Sequence, residues 1–117
     1  MTERYQLSVH AINLPNKGGL FRTSSPYAKV KILSGPNAGT ELGETEFISR
    51  SLSPDWVKTF FFEFSPSQVT TFEVTIWDYR EGKEPLWMGE GSFEATSVFQ
   101  EPGKTQSVQI GKQDSSR

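Results

Sequence analysis

Apolar and polar residues alternate one by one through much of this chain. The clearest run covers residues 27–33, where Ala28, Val30 and Ile32 share one side of an extended segment and Tyr27, Lys29, Lys31 and Leu33 the other. A period of two with β-branched residues on the apolar side predicts a half-buried strand. Pro26 just before it has no N–H to give to a ladder and suits a strand start. Residues 5–12 repeat the pattern, with Tyr5, Leu7, Val9 and Ala11 opposed to Gln6, Ser8 and His10. Further strands are predicted over 43–49, 57–64, 72–76, 87–93 and 104–110. In the second of these, Phe60, Phe62 and Phe64 face one way and Phe61 the other, which predicts a central strand covered on both faces. Phe72, Val74 and Ile76 form the next inward set, with Glu73, Thr75 and Trp77 opposite.

Turn residues punctuate these segments. Lys17-Gly18-Gly19 opens a long first loop ending at Pro26, and Ser34-Gly35-Pro36-Asn37-Ala38-Gly39 is turn-rich. Ser51-Leu52-Ser53-Pro54-Asp55 makes another break, and residues 78–86 (DYREGKEPL) form a second long loop. One helical turn is expected over 95–99, and no amphipathic helix of useful length appears. The fold class that follows is all-β, an antiparallel sandwich. Residues 1–110 read as one domain and 111–117 as a polar tail.

Composition narrows the function classes. Nine Phe and three Trp supply large buried surfaces for one core in 117 residues. A net charge of −2 opposes nucleic-acid binding, which needs a concentrated positive surface. The absence of Cys removes disulfides and thiolate chemistry. No apolar run reaches the length of a membrane span and no signal-peptide pattern opens the chain, so a cytoplasmic location is expected. His10, the one histidine, lies on a polar strand face and offers neither a metal cluster nor a nucleophile–base–acid set. Gly89-Glu90-Gly91 lacks the third glycine of a dinucleotide loop, Glu94 standing there instead. No catalysis and no cofactor are expected.

The stretch SSPYAKVKI resembles the first-loop and strand signature of the C2 domain, whose usual form has Asp where this chain has Ser25. SLSPDW, followed by an aromatic-rich strand, and FEVTIWDYREGKEPLWMG are similar to the family's middle and third-loop segments, in order and spacing. The loop LFRTSSPYA further resembles the amino-terminal C2 domains of HECT-type ubiquitin ligases of the Nedd and Smurf kind. The resemblance implies a Greek-key sandwich of seven to eight strands. It also implies an eighth strand after the polar tail, beside the first strand. Without it, the chain is expected either to self-associate along the first-strand edge, since an unpaired row of N–H and C=O groups recruits another chain, or to be marginally stable.

The family resemblance also implies a place for calcium, built from about five Asp ligands on two loops, because the ion takes 6–8 hard oxygen ligands. Carried onto this chain, those positions hold Gly18 or Gly19, Ser25, Asp78, Arg80 and Leu86. Only Asp78 keeps a carboxylate, so no metal site is expected. The loop tips instead offer Lys17, Phe21, Arg22, Arg80 and Lys83 for calcium-independent docking on an anionic phospholipid surface. Against that, Phe21 folding back and Arg22 pairing with a local acid is the alternative. A second lipid face known in the family is lysine-rich and flanked by two aromatics; Tyr27 and Trp77 match these, Lys29 and Lys31 substitute in part, and Glu41, Glu44 and Glu46 replace the expected lysines. The function expected is a peripheral membrane-targeting module, with a protein-interaction or autoinhibitory module of a larger protein as the rival.

Overall fold

The computed structural model describes residues 3–20, 22–35, 38–64 and 70–95. They form six strands, β1 (Glu3–His10), β2 (Pro26–Ser34), β3 (Glu41–Glu44), β4 (Asp55–Phe64), β5 (Thr71–Asp78) and β6 (Leu86–Glu94). All described pairings are antiparallel, within a two-stranded sheet β1-β4 and a four-stranded sheet β3-β2-β5-β6. Between β3 and β5 the chain crosses to the other sheet for β4 and returns, as a Greek-key connection requires.

The alternation seen in the sequence is what drives the two sheets together. Ala28, Val30 and Ile32 from β2, Phe72, Val74 and Ile76 from β5 and Met88 from β6 turn one apolar face inward. Trp56, Phe60 and Phe62 from β4 meet them, and the Phe62 ring stands edge-on to Phe72 at 4.7 Å between centroids. Edge-to-face packing places a positive ring edge on a negative ring face, and it locks the two sheets in one relative position. β6 continues through Gly89 and Gly91, which pair with Ile76 and Val74, and its register shifts next to Gly89, between Ile76 and Trp77.

Two sequence expectations are corrected. The third strand was expected over 43–49 but ends at Glu44. Beyond it the chain still follows β2, but Thr45 takes the place of a regular ladder residue. Its N–H donates to the Ala28 carbonyl at 2.8 Å while its hydroxyl accepts from the Ala28 N–H at 2.9 Å. The Ile48 N–H then reaches the Pro26 carbonyl at 3.0 Å, where the Trp56 indole N–H also donates at 3.1 Å. Trp56 is thus a structural residue, and His10 is exposed. The second concerns β4, expected to be covered on both faces: Phe61 is 51% exposed. Among the described residues β4 pairs with β1, and its central place stays an expectation.

The outer edge of β1 likewise faces no strand among the described residues, so strand addition there stays an expectation. The strand over 104–110, the tail 111–117 and the helical turn beyond residue 95 lie outside the described residues.

Thr45→Val tests the side-chain substitution for a ladder bond. It keeps the shape but leaves the fully buried Ala28 N–H without an acceptor, which costs about 1–3 kcal/mol. Urea unfolding should show that loss, with a slope unchanged from the native chain.

Candidate functional site

The first loop (residues 11–25) is built around one side chain that sequence reasoning missed. The Asn16 carboxamide oxygen accepts from the Gly18 N–H at 3.1 Å, the Ser24 N–H at 2.9 Å and the Ser24 hydroxyl at 3.2 Å. Its amide nitrogen donates to the Arg22 carbonyl at 3.2 Å and the Gly19 carbonyl at 3.4 Å. The fully buried Ser24 hydroxyl in turn accepts from the Lys17 N–H at 2.7 Å. The Asn16-to-Gly18 contact is an Asx-type turn, and Asn two residues before Gly-Gly is the signal that would have found it. Gly18 is required there because a Cβ would collide with the Arg22 carbonyl. Gly19, at φ +83°, turns the chain so that Leu20 stands at the tip, 95% exposed.

Asp78, the last residue of β5, is the chemical centre of this end of the sandwich. Its carboxylate is fully buried. Arg22 engages it through both fork nitrogens, Nη1 to Oδ2 at 2.8 Å and Nη2 to Oδ1 at 2.6 Å. The Ser25 N–H adds a third donor to Oδ1 at 2.8 Å, and Arg22 Nη2 also donates to the Tyr79 carbonyl at 2.7 Å. Burial pushes the Asp78 carboxyl upward, but the Arg22 guanidinium, the Ser25 N–H and the nearby Ser24 hydroxyl outweigh it and hold the carboxyl below its ordinary value. Hydrogen bonding to Asp78 raises Arg22 from an already high value, so the pair stays charged.

In this geometry Arg22 pairs with an acid of the chain, the alternative to its reaching out to lipid phosphate. Its guanidinium is committed inside the chain, the side chain being 35% exposed. Phe21 lies outside the described residues. Lys17, Arg80 and Lys83 do reach the surface at the same end. Arg80 is oriented by Nε donation to the Glu84 carbonyl at 2.9 Å, and the Lys83 N–H closes the turn on the Arg80 carbonyl at 3.1 Å.

The residues do not fit a calcium ion. Ser25 spends its N–H on Asp78, and its hydroxyl accepts from the Arg50 N–H at 3.1 Å. Gly18 and Gly19 bring no side chain, Arg80 brings a cation, and Asp78 already holds one. Among the described residues no group of three or more metal-ligating side chains converges anywhere.

On the outer face of the four-stranded sheet, Tyr27 and Trp77 are cross-strand partners, and the Lys29 Nζ lies 5.3 Å from the Trp77 ring centre. The aromatic-lysine cluster expected from the sequence is therefore assembled. Its surroundings are not basic. Lys29 pairs in register with Glu44, and Lys31 lies between Glu41 and Glu73. Glu90 opposes Thr75 on the same face. Opposite charges as direct cross-strand neighbours stabilise the sheet and leave little net field for a polyanion.

The antiparallel two-sheet sandwich is of the C2 type, and the chain belongs to the C2 domain family: residues 6–110 match the C2 domain model. Mouse piccolo is 29% identical over 114 aligned positions, taking in 80% of this chain and 2% of that protein. The chain thus spans a small fraction of the curated relative it matches. Among solved structures, human GIVD cytosolic phospholipase A2 superposes with a TM-score of 0.67 at 21% identity, over 83% of this chain and 12% of that one. A C2 domain of plant Extended Synaptotagmin 1 gives 0.60 at 22% identity, over 76% and 65%. These structural likenesses are likenesses of fold.

The ion pair generates a prediction with a definite sign. Arg22→Met strands a buried carboxylate and should cost about 2–3 kcal/mol, toward the low end for a buried pair because Arg22 is partly solvated. The folded Asp78 carboxyl lies below its unfolded value of roughly 3.9, so its contribution is full above that value and is lost as pH falls through the folded one. Denaturation of the native chain and of Asp78→Asn at several acidities should show the gap between them closing below about pH 4.

Proposed function

We propose that this C2 domain is a non-enzymatic, calcium-independent module that docks on phospholipid surfaces through the tips of its first and third loops. The observation that carries the reading is the Arg22–Asp78 fork, which puts a protein cation on the one carboxylate retained for a metal. A guanidinium keeps its charge at any physiological pH and presents donors in a fixed plane, so it can organise the two loops without a soluble ion. Leu20, at 95% exposure, supplies the apolar element that enters the headgroup zone, with Lys17 beside it and Arg80 and Lys83 on the neighbouring loop. The mixed charge around Lys29 and Lys31 makes the sheet face the weaker lipid candidate.

A protein-partner or autoinhibitory role is the second reading. It is favoured by the net charge of −2, which limits long-range attraction to anionic lipid.

Co-sedimentation with vesicles of phosphatidylcholine and phosphatidylserine decides between them. The native chain should bind equally with millimolar calcium and with chelator, and calcium should leave the melting temperature unchanged, since a ligand of the native state must raise it. Leu20→Asp with Lys17→Glu should lower vesicle binding at least tenfold while melting like the native chain. Strict dependence on calcium would overturn the calcium-independent reading, and absence of vesicle binding would favour the protein partner.

A further inference from the structure

Among the described residues two that are not glycine hold a positive φ, Asn13 at 55° and Arg50 at 54°, and both attend one serine. Asn13 donates its N–H to the Ser53 hydroxyl at 3.1 Å. Arg50 stands three residues before Ser53, at the head of the turn that leads into β4. Asn tolerates the left-handed region because its short polar side chain bonds locally, whereas glycine would meet the need at Arg50 with less strain. The backbone contact made there, the Arg50 N–H on the Ser25 hydroxyl at 3.1 Å, is open to any residue except proline. What arginine adds is its charge. The residue is exposed, and among the described residues no carboxylate lies at bonding distance of it. Backbone strain of this kind clusters where function uses it.

Ser53 is the exposed member of a tethered segment. On either side of it, the Leu52 and Pro54 carbonyls accept from the Leu14 and Ala11 N–H groups at 2.9 and 3.0 Å, and Pro54 is fully buried. Proline carries no N–H, so an enzyme cleft that takes residues 50–54 in extended form meets no donor after the serine. Reaching that form costs the bonds to Ala11, Asn13 and Leu14, a local opening rather than global unfolding.

We propose that Ser53 is a phosphorylation site, taken by a serine kinase that reads Arg50, and that the phosphate releases the domain from anionic membranes. The γ-phosphoryl group of ATP passes to Ser53 Oγ. The P–Oγ bond forms as the bond to the ADP oxygen breaks, and the hydroxyl proton goes to the kinase's catalytic base. The product gives the Asn13 N–H a charged acceptor and Arg50 an anionic partner. It also adds about −1.5 to −2 of charge at neutral pH, against a net charge of −2 for the whole chain. That charge falls at the loop end, because Ser53 lies against residues 11–14, on the limb of the first loop that leads to Lys17 and Leu20. Asp55, exposed two residues on, offsets the one cation supplied by Arg50. An added anion there opposes approach to a negatively charged leaflet. The release rests on the membrane-docking reading, and the modification site does not.

The folded full chain is incubated with ATP and a dual-specificity tyrosine-regulated kinase, of the class that takes serine with arginine three residues before it and proline after it. The tryptic peptide of residues 51–58 should gain one phosphate, located on Ser53 by fragmentation. Ser53→Ala should abolish the gain. Arg50→Gly, which suits the positive φ and removes the guanidinium, should slow it at least tenfold while melting like the native chain. The site is overturned if the folded chain stays unmodified while the kinase phosphorylates a control peptide, or if Arg50→Gly is modified at the native rate. The full chain carrying phosphoserine at position 53 is then sedimented with vesicles of phosphatidylcholine and phosphatidylserine. Binding should fall at least tenfold at low salt without a lowered melting temperature, and the difference should shrink as salt rises. Equal binding of the phosphorylated and native chains overturns the release. A native chain that binds no vesicle removes the membrane reading and the release with it, and the kinase result alone then decides the site.

Discussion

The loop end of this sandwich depends on a carboxylate buried from solvent. Asp78 ends β5 with its side chain fully buried, where an isolated charge is untenable. Arg22 answers it from 56 residues away in sequence, and in doing so fixes where the first loop runs. The bridge does not act alone. Ser25 donates to the same carboxylate through its N–H, its carbonyl accepts from the Tyr79 N–H at 2.9 Å, and its hydroxyl accepts from the Arg50 N–H. One buried charge therefore organises the first loop, the start of β2, the end of β5 and the turn before β4.

A guanidinium differs from a metal ion in ways that shape what such an end can do. Calcium draws its ligands into a flexible shell and can leave. Arg22 is covalently part of the loop, always charged and directional. On the proposed reading, the tip bearing Lys17 and Leu20 is therefore ready to dock without an ionic signal. Asn16 serves the same preorganisation from inside the loop, tying five groups of residues 18–24 to one carboxamide.

The sheet face and the third loop differ in what sets their charge neighbours. On β2, Lys29 and Lys31 meet Glu44, Glu41 and Glu73 across the ladders by register, which makes the face mixed in charge. Arg80 and Lys83 sit on a loop, where turn hydrogen bonds rather than a ladder place them. Arg22, also on a loop, is committed to Asp78.

Local pattern was enough to read most of the strands. The period of two at Ala28, Val30 and Ile32, and at Phe72, Val74 and Ile76, is a property of neighbouring residues, and both sets are buried in the core. The family was legible for the same reason, in the segments around Pro26 and Asp78. The boundary of β3 was not, because Thr45 replaces a ladder bond by a hydroxyl that only the position of Ala28 can reveal. Nor was the exposure of Phe61, which reads as inward on any strand covered on both faces. Arg22 was singled out as a loop-tip cation, and its sequence neighbours hold no acid to say otherwise. Its partner comes from the end of β5, 56 residues on in sequence, so its role was decided by tertiary structure. The stacking of Phe47 on Tyr79 belongs to the same class. Periodicity is carried by the chain itself, whereas a salt bridge or a cleft exists only once distant segments share a place.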